Sequence, residues 1–562
     1  MPSSREVARA LHEIADLLRF GGQVKFKVDA YEHAAQVVAT LGGELAERVE
    51  EDRLRDIQGI GPGLSRQIQE LWNTGSSELL HELRSQHPPG TSELLQVSGV
   101  TPRRSRALFD ALGITSVEAL RDACATGRVR DLPGFGPKTE QSLLQACQRW
   151  AEREARGPEP MLLSQGLSLL EVLSAELAGY VARVLTAGAA RRGEELLGEL
   201  EVVIVGDADA AMKRLSELRR VVRIDGERLV AYLADGIALR LHVASRDNLG
   251  TVWLRATGSA AHLAELEARS PGILERPFAT ESDLYGSLGL LYVPHEQRSG
   301  ARELIDAAHA SFDDLVDVPD VRGLVHCHTT YSDGRSSVLE MARAAHALGM
   351  QYLTVTDHSP TARYASGVAI DDLKRQWDEI AEAEAAVPIR ILRGAESDIL
   401  SDGLLDYPDA VLEQLDVLIA SIHARYRQDR ATMTARIARA LELPLFKIWG
   451  HALGRILNQR EPIDCDVPRL LDVLARSAGA IELNADPHRL DLPPCYIPLA
   501  RERGIPFVIS VDAHSTNGFG VLGYGVTMAR RGGLRRAEVL NTLPAEQFVA
   551  AVKPARTSST SG

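Results

Sequence analysis

The stretch His326-Cys327-His328-Thr329-Thr330-Tyr331-Ser332-Asp333-Gly334 decides how the second half of the chain is read. An apolar run leads into two histidines separated by one residue, and a carboxylate follows shortly after. Along a strand successive side chains alternate faces, so His326 and His328 point the same way. The same punctuation recurs downstream: Thr356-Asp357-His358, Gly394-Ala395-Glu396, Ser421-Ile422-His423, Trp449-Gly450-His451 and Asp512-Ala513-His514 each close an apolar or β-branched run. Strands are predicted at residues 324–328, 352–357, 389–396, 417–423, 446–451, 480–484 and 507–512. Helical periodicity fills the gaps, as at 337–348, 370–386 and 467–477. Strand–helix units repeated in this way imply a closed parallel barrel, whose strand ends converge on one face where active sites form.

That face gathers nine candidate metal ligands: His326, His328, Asp333, His358, Glu396, His423, His451, Asp512 and His514. Six of the chain's 16 histidines stand at these strand ends, too many for chance placement. Imidazole and carboxylate without thiolate suit Zn²⁺, Mn²⁺ or Fe²⁺ rather than Ca²⁺ or a cysteine-type structural zinc. The set exceeds the need of one ion and implies two to three divalent cations, the arrangement of metal-dependent phosphoesterases.

Upstream the chain is helical, with amphipathic runs such as 6–20 and 30–41. One phrase occurs three times: Gly59-Ile60-Gly61-Pro62-Gly63, Gly99-Val100-Thr101-Pro102-Arg103 and Gly134-Phe135-Gly136-Pro137-Lys138. Glycine permits left-handed backbone and close approach, and proline suits the first turn of the next helix. Each phrase thus predicts a tight hairpin that offers helix N-terminal N–H groups to a phosphate. Gly59, Gly61, Gly63, Gly99, Arg103, Arg104, Gly134, Gly136 and Lys138 are the candidate DNA contacts. Residues 101–130 carry six arginines against the three acids Asp110, Glu118 and Asp122, which supports the middle copy.

Composition bounds the rest. The 562 residues, 45% hydrophobic and 25% charged, describe a folded chain rather than a disordered or fibrous one. Their net charge of −14 excludes a molecule that binds nucleic acid by overall attraction, and leaves local patches. The five cysteines are odd in number and never spaced C-x-x-C, which argues against a disulfide scaffold or zinc finger. No apolar run approaches the roughly eighteen residues of a membrane span, and residues 1–20 have no leader-like apolar core. A cytoplasmic, monomeric protein without membrane partners is expected. Residues 553–562 are Ser/Thr/Gly-rich and expected to be disordered.

The motifs HCHTTYSDG, TDHS, GAESDIL, SIHARY, GHALGR and DAHS, in this order, resemble the polymerase and histidinol phosphatase (PHP) domain. The resemblance implies a distorted seven-stranded barrel with a trinuclear site. Carried onto this chain, His326, His328, Glu396 and Asp512 would hold one ion; Glu396, His423 and His451 a second; Asp333, His358 and His514 a third. Leu324 stands where relatives often have an aspartate, a departure outside the ligand set.

The rest of the chain resembles a bacterial family X DNA polymerase: a helical lyase-like domain (VKFKVDAYEHAAQVV), helix-hairpin-helix modules, then a nucleotidyltransferase palm and thumb. The resemblance implies a multidomain protein: 1–85 helical with the first hairpin, 86–155 helix-hairpin-helix fingers, 156–315 an α+β palm and thumb, and 319–552 the α/β PHP barrel. Its palm motif, similar to G-S-x-R-R followed by D-x-D and a third aspartate, is degenerate here. Ala189 replaces the serine before Arg191 and Arg192, Glu199 and Glu201 replace the aspartate pair, and Ala238 replaces the third carboxylate. A glutamate can still ligate Mg²⁺ in a weakened palm site, but Ala238 offers no ligand, and two-metal transfer needs that group. The surviving Arg191, Arg192 and the Thr257-Gly258-Ser259 turn are expected to serve folding or phosphate binding.

The implied function is repair of gapped, nicked or 3′-ended DNA without sequence preference. The PHP domain would act as a metal-dependent 3′-5′ exonuclease, with abasic-site endonuclease activity as an extension. The alternatives are an active DNA-directed polymerase, a histidinol-phosphatase-like phosphomonoesterase, and a non-catalytic DNA-binding scaffold.

Overall fold

In the computed structural model, residues 2–554 are described apart from 3, 22, 24, 42–43, 58, 88–89, 156–158, 234–235, 301 and 310. The tail expected to be disordered lies, from residue 555 on, outside the described residues. The chain divides into two compact units with interleaved segments. Met1–Met161, Ser168–Leu185 and Gly198–His242 form the first; Leu162–Leu167, Thr186–Leu197 and Val243–Gly562 form the second. No helix among the described residues is long and apolar enough to cross a membrane.

The first unit begins with helices Ser4–Phe20 and Lys25–Leu41. Leu11, Ile14 and Leu18 recur at helical spacing and are buried with Ile68, Leu71 and Leu80 of the following helices. A separate core gathers Leu94, Leu108, Leu120, Val129 and Leu143. The three repeated phrases adopt one conformation. Gly59, Gly99 and Gly134 take φ of 89°, 92° and 85°, a region that favours glycine. The next amides, of Ile60, Val100 and Phe135, each donate over 3.0 Å to the carbonyl three residues back, at Ile57, Val97 and Leu132. The side chains of Ile60, Val100 and Phe135 are buried, and a proline then opens each helix, Pro62–Thr74, Pro102–Leu112 and Pro137–Ala155.

The first unit ends in a sheet of β1 (Val181–Thr186), β2 (Glu199–Gly206), β3 (Val221–Asp225), β4 (Val230–Leu233) and β5 (Ala238–Ala244), in the order β1-β2-β5-β4-β3. Strands β3, β4 and β5 pair antiparallel. Along β2 the buried Leu200 and Val202 alternate with the half-buried Glu199 and Glu201, so both glutamates share a face.

The second unit contains the barrel: β6 (Gly323–Cys327), β7 (Tyr352–Val355), β8 (Arg390–Asp398), β9 (Val417–Ser421), β10 (Lys447–Trp449), β11 (Gly479–Asn484) and β12 (Phe507–Ser510). All seven strands are parallel neighbours in chain order, as the sequence pattern predicts. The ring closes just beyond β12, where Val511 and Ala513 donate to the carbonyls of Val325 and His326 over 3.1 and 3.0 Å, and His328 donates to Ala513 over 2.8 Å. Alternate strand residues sort into two cores. Leu324, Leu353, Ile391, Leu418 and Ile481 meet the surrounding helices, while Val325, Leu392, Val417, Ile419, Ile448, Ala480 and Val508 fill the interior with Phe548 and Val552. Burial on both faces explains why these strands read as continuous apolar runs.

Candidate metal centre

On β8 the inner-face sequence runs Leu392, Gly394, Glu396, Asp398, and on β11 it runs Ala480, Glu482, Asn484, so simple alternation carries four polar side chains into the mouth of the barrel. On β6 alternation alone would fail. Val325 belongs to the interior and Leu324 and Cys327 to the outer core, so His326 would face outward. The pairing register slips between Leu324 and Cys327, and His326 takes φ 66°, a bulge that turns both histidines inward. The two histidines therefore do share a side, by a bulge rather than by the regular pleat. His451 and Asp512 also take positive φ, 22° and 48°. Such conformations cost of order 1–3 kcal/mol each and concentrate at functional sites.

The structure brings all nine sequence-predicted ligands together, in overlapping groups whose ligand atoms lie within 4.8 Å of one another. These groups are His328, Asp333, His358 and His514; His326, Glu396 and His451; His326, His328 and Asp512; and His358, Glu396 and His423. Compared with the partition implied by the resemblance, His328 also joins the Asp333 cluster and His358 joins Glu396 and His423. Glu396 lies at the centre: its oxygens are 2.9 Å from His358 Nδ1, 2.8 Å from His451 Nε2 and 3.2 Å from His423 Nε2. His328 Nε2 lies 3.3 Å from Asp512, and His514 Nε2 lies 3.4 Å from Asp333.

These donors fit divalent cations. His326 Nε2, both ring nitrogens of His328, His358 Nδ1, His451 Nδ1 and Glu396 Oε2 are buried without a hydrogen-bond partner. A native core rarely leaves such groups unsatisfied, and an ion is one of the standard reasons. His358 Nδ1 is near Glu396 yet misaligned for hydrogen bonding, so the lone pairs converge on shared space instead of on each other. Electrostatics agree. Burial disfavours charge on His326, but Glu482, Asp512 and Glu396 outweigh it and raise its pKa well above the usual value. His358 is pushed up to about 10, the fields of Glu396 and Asp333 overcoming burial. Burial and the imidazoles of His358 and His514 bring His328 down to about 4. A field that draws protons to buried imidazoles draws divalent cations as well.

Several supporting residues were not anticipated from the sequence. Glu482 lies 2.6 Å from His326 Nδ1 and also accepts the His451 amide. Asp398 lies 2.5 Å from His423 Nδ1. The Asn484 amide donates to Asp512 over 3.0 Å, and Asp357 accepts from Thr329 and Gln376. Carboxylates on the far nitrogen of a ligating histidine fix its tautomer and ring direction. Their inner-face periodicity with Glu396 and Ala480 was the available signal. Leu324 is fully buried in the outer core and takes no part.

The remaining sequence candidates lie elsewhere. In the first unit Glu199 is 2.8 Å from Arg240 and Glu201 is 2.8 Å from His242, on the same face as Ala238. In the second unit Arg191 forks onto Glu281 at 2.7 Å to both oxygens, bonds Thr257 and stacks 3.4 Å over Trp253. Arg192 donates to the Thr257 carbonyl and to Glu194. Arg191 and Arg192, expected to serve folding or phosphate binding, are both half-buried, and Arg191 shares Glu281 with Arg298 in an ionic triad. Ala189 sits in the short helix Gly188–Arg192 that carries both arginines. Among the hairpin residues, Gly59, Gly61, Gly63, Gly99, Gly134, Arg103 and Lys138 are exposed and Gly136 is half-buried. Arg104 folds back to donate to the Gly99 carbonyl over 2.8 Å.

Residues 2–77 match the helix-hairpin-helix domain, 91–149 the SAM-like helix-hairpin-helix tandem, and 325–486 the PHP domain. The chain is 31% identical over 559 residues to the DNA polymerase/3′-5′ exonuclease PolX of Bacillus subtilis (strain 168), covering 96% of this chain and 97% of that protein. It is 28% identical over 229 residues to a "probable phosphatase" of Thermoanaerobacter sp. (strain X514), which spans 39% of this chain and 89% of the phosphatase. A "probable phosphatase" of Acetivibrio thermocellus is 35% identical over 163 residues, 28% of this chain and 63% of that protein.

Proposed function

Because the chain belongs to the bacterial family X DNA polymerases that carry a PHP domain, we propose that it is a DNA-repair nuclease that shortens 3′ ends through the barrel. The observation that carries this reading is the convergence of nine His, Asp and Glu donors, several of them buried and orphaned, at one end of the barrel. His328, Asp333, His358 and His514 would hold one cation. His326, Glu396, His451, His423 and Asp512 would hold the others, two to three in all, of Zn, Mn or Fe. Such cations, when bound, supply an activated water and stabilise charge on phosphoryl oxygens.

The chain's own residues prepare that chemistry. Glu482 and Asp398 hold His326 and His423 by their Nδ1 atoms, leaving each Nε2 to face the centre. Asn484 fixes one oxygen of Asp512. In this reading the hairpins of residues 1–155 hold DNA by its phosphates without reading sequence, residues 319–552 cut it, and abasic-site cleavage is an extension of the same chemistry. Gapped, nicked and 3′-ended duplexes are the proposed substrates, and a monomer suffices.

Nucleotide addition through residues 156–315 is absent or weak in this reading. Ala238 has no ligand atom, and Glu199 and Glu201 are engaged by the Arg240 guanidinium and the His242 imidazole, where a magnesium site needs open carboxylates. The relatives named probable phosphatases match only 39% and 28% of this chain. A small-molecule phosphatase has no use for the three hairpin repeats.

The test is one assay of the purified protein with Mn²⁺ on 3′-recessed and 3′-overhanging DNA, with and without dNTPs. Shortening without extension is expected. Release of phosphate from small monoesters with intact DNA would favour the phosphatase alternative, and neither activity would favour the scaffold.

A further inference from the structure

Two loops that carry metal-ligand candidates also carry the pairing of basic and aromatic residues that nucleic-acid surfaces use. The loop after His358 contains Arg363-Tyr364, and the one after His423 contains Arg425-Tyr426-Arg427. The two tyrosines differ in state. Tyr426 is spent internally: its hydroxyl donates to the Ile422 carbonyl over 2.8 Å and the Arg460 guanidinium covers its ring at 4.1 Å. Tyr364 is 67% exposed. Its ring centroid nevertheless lies 5.8 Å from that of His358 and 6.1 Å from that of His423.

The backbone beneath Tyr364 is fixed. It stands in the single turn Arg363–Ala365, whose neighbours Ala362, Ala365 and Val368 are buried. Thr361 is held by Asp398 and Asp406, the Val368 amide donates to the His358 carbonyl over 2.8 Å, and the Tyr407 hydroxyl binds the Val368 carbonyl. Gly367 passes so close to Ser359 that a Cβ there would meet its carbonyl oxygen at 1.9 Å. A rigid turn therefore presents a bare aromatic face beside the cluster. Isolated exposed aromatics are ordinary on protein surfaces, but this one is held about 6 Å from two candidate metal ligands, within reach of a substituent on a phosphoryl group held by that cluster.

We propose that Tyr364 is a substrate-binding residue that stacks on the nucleobase of the 3′-terminal nucleotide being removed, with the exposed Arg363, Arg425 and Arg427 facing the adjoining phosphates. The inference rests on the phosphodiesterase reading above and names the part of the substrate that the site selects. Base–aromatic stacking tolerates every base and changes affinity by roughly tenfold to a hundredfold. The residue thus separates nucleotide ends from base-free phosphate esters without imposing sequence preference.

The test compares the Mn²⁺-loaded full chain with Tyr364→Ala, Tyr364→Phe and Tyr364→Trp on oligonucleotides ending in a normal nucleotide or in a base-free tetrahydrofuran residue. The parent, Phe and Trp proteins should favour the normal end in kcat/KM by about tenfold or more, mainly through KM. In Tyr364→Ala the ratio should collapse toward one while metal content equals that of the parent. A preference that survives in Tyr364→Ala overturns the proposal, and so does an equal loss on both ends, which would make Tyr364 a support for His358 and His423. A second arm measures inhibition of bis(p-nitrophenyl) phosphate hydrolysis by thymidine 5′-monophosphate against deoxyribose 5-phosphate. The thymidine advantage should vanish only in Tyr364→Ala, and its persistence there overturns the base contact. This arm reads the contact even if DNA itself is left intact, so the two proposals fail separately.

Discussion

Asp398 holds His423 by its Nδ1 at 2.5 Å, and both stand one step removed from Glu396, which shares a strand with the first and touches the second at 3.2 Å. Asp398→Asn should therefore leave the fold intact and lower metal affinity or nuclease activity by about 10- to 100-fold, since the imidazole loses its fixed tautomer. Metal titration of the variant beside the parent measures it. Unchanged affinity and activity would mean that Asp398 only anchors Thr361.

Glu396 is shared between two ligand groups, whereas Asp333 belongs to one. Elemental analysis should find between two and three divalent ions per parent chain. Glu396→Ala should lose more metal than Asp333→Ala, and chelation should abolish DNA shortening in the parent. Equal losses in the two variants would contradict the bridging role.

His328 is fully buried within the cluster, while the hairpins lie in the other compact unit. His328→Ala should abolish DNA degradation and leave DNA binding within error of the parent. The same variant supplied with dNTPs and a primed template should add no nucleotides, because Ala238 cannot ligate and Glu199 and Glu201 are paired. Robust extension by it would show that the palm tolerates these replacements.

Binding through the three hairpins should be indifferent to sequence and weaken with salt, with log K falling by about 0.9 per phosphate neutralised for each unit of log salt. Arg103→Glu should weaken every sequence alike and flatten that slope. Gly134→Ala meets open space but keeps φ near 85°, so it should cost roughly 1–2 kcal/mol in local stability. Fluorescence anisotropy at several salt concentrations and thermal melting read the two effects.

Glu281 is held down to about 2 because Arg191 and Arg298 outweigh its burial. Its folded-state pKa lies below the ordinary value of 4.5, so it stabilises above that value and the contribution is lost as pH falls toward 2. The shift corresponds to about 3 kcal/mol at neutral pH. Glu281→Gln should melt well below the parent at pH 7, and the gap should narrow below about pH 4.5. A gap independent of pH would mean that packing, not charge, is lost.

The barrel and its nine candidate ligands were legible because parallel strands are apolar throughout and end abruptly in histidine or carboxylate. What stayed hidden depends on distant partners or on backbone conformation. The sequence leaves Arg191 open to folding or phosphate binding, and its fork onto Glu281, ninety residues away, is not readable from it. Glu482 sits in a strand with no histidine beside it, so only its alternate spacing from Ala480 marked it, and its partner His326 is 156 residues away. Regular alternation would turn His326 outward from Val325, and the bulge that reverses it leaves no mark in composition. The departures at Ala189, Glu199, Glu201 and Ala238 were readable, but not that Arg240 and His242 engage the two glutamates.

The ring closes through Val511 and Ala513 bonding back to β6, next to its first ligand. During synthesis the hairpin modules leave the ribosome first, yet the cutting centre cannot assemble until His514 has followed His326. At roughly 5–20 residues per second, that interval lasts on the order of ten to forty seconds. A nascent chain can thus hold nucleic acid before it can cleave any, and a polypeptide released early lacks the hydrolytic centre altogether.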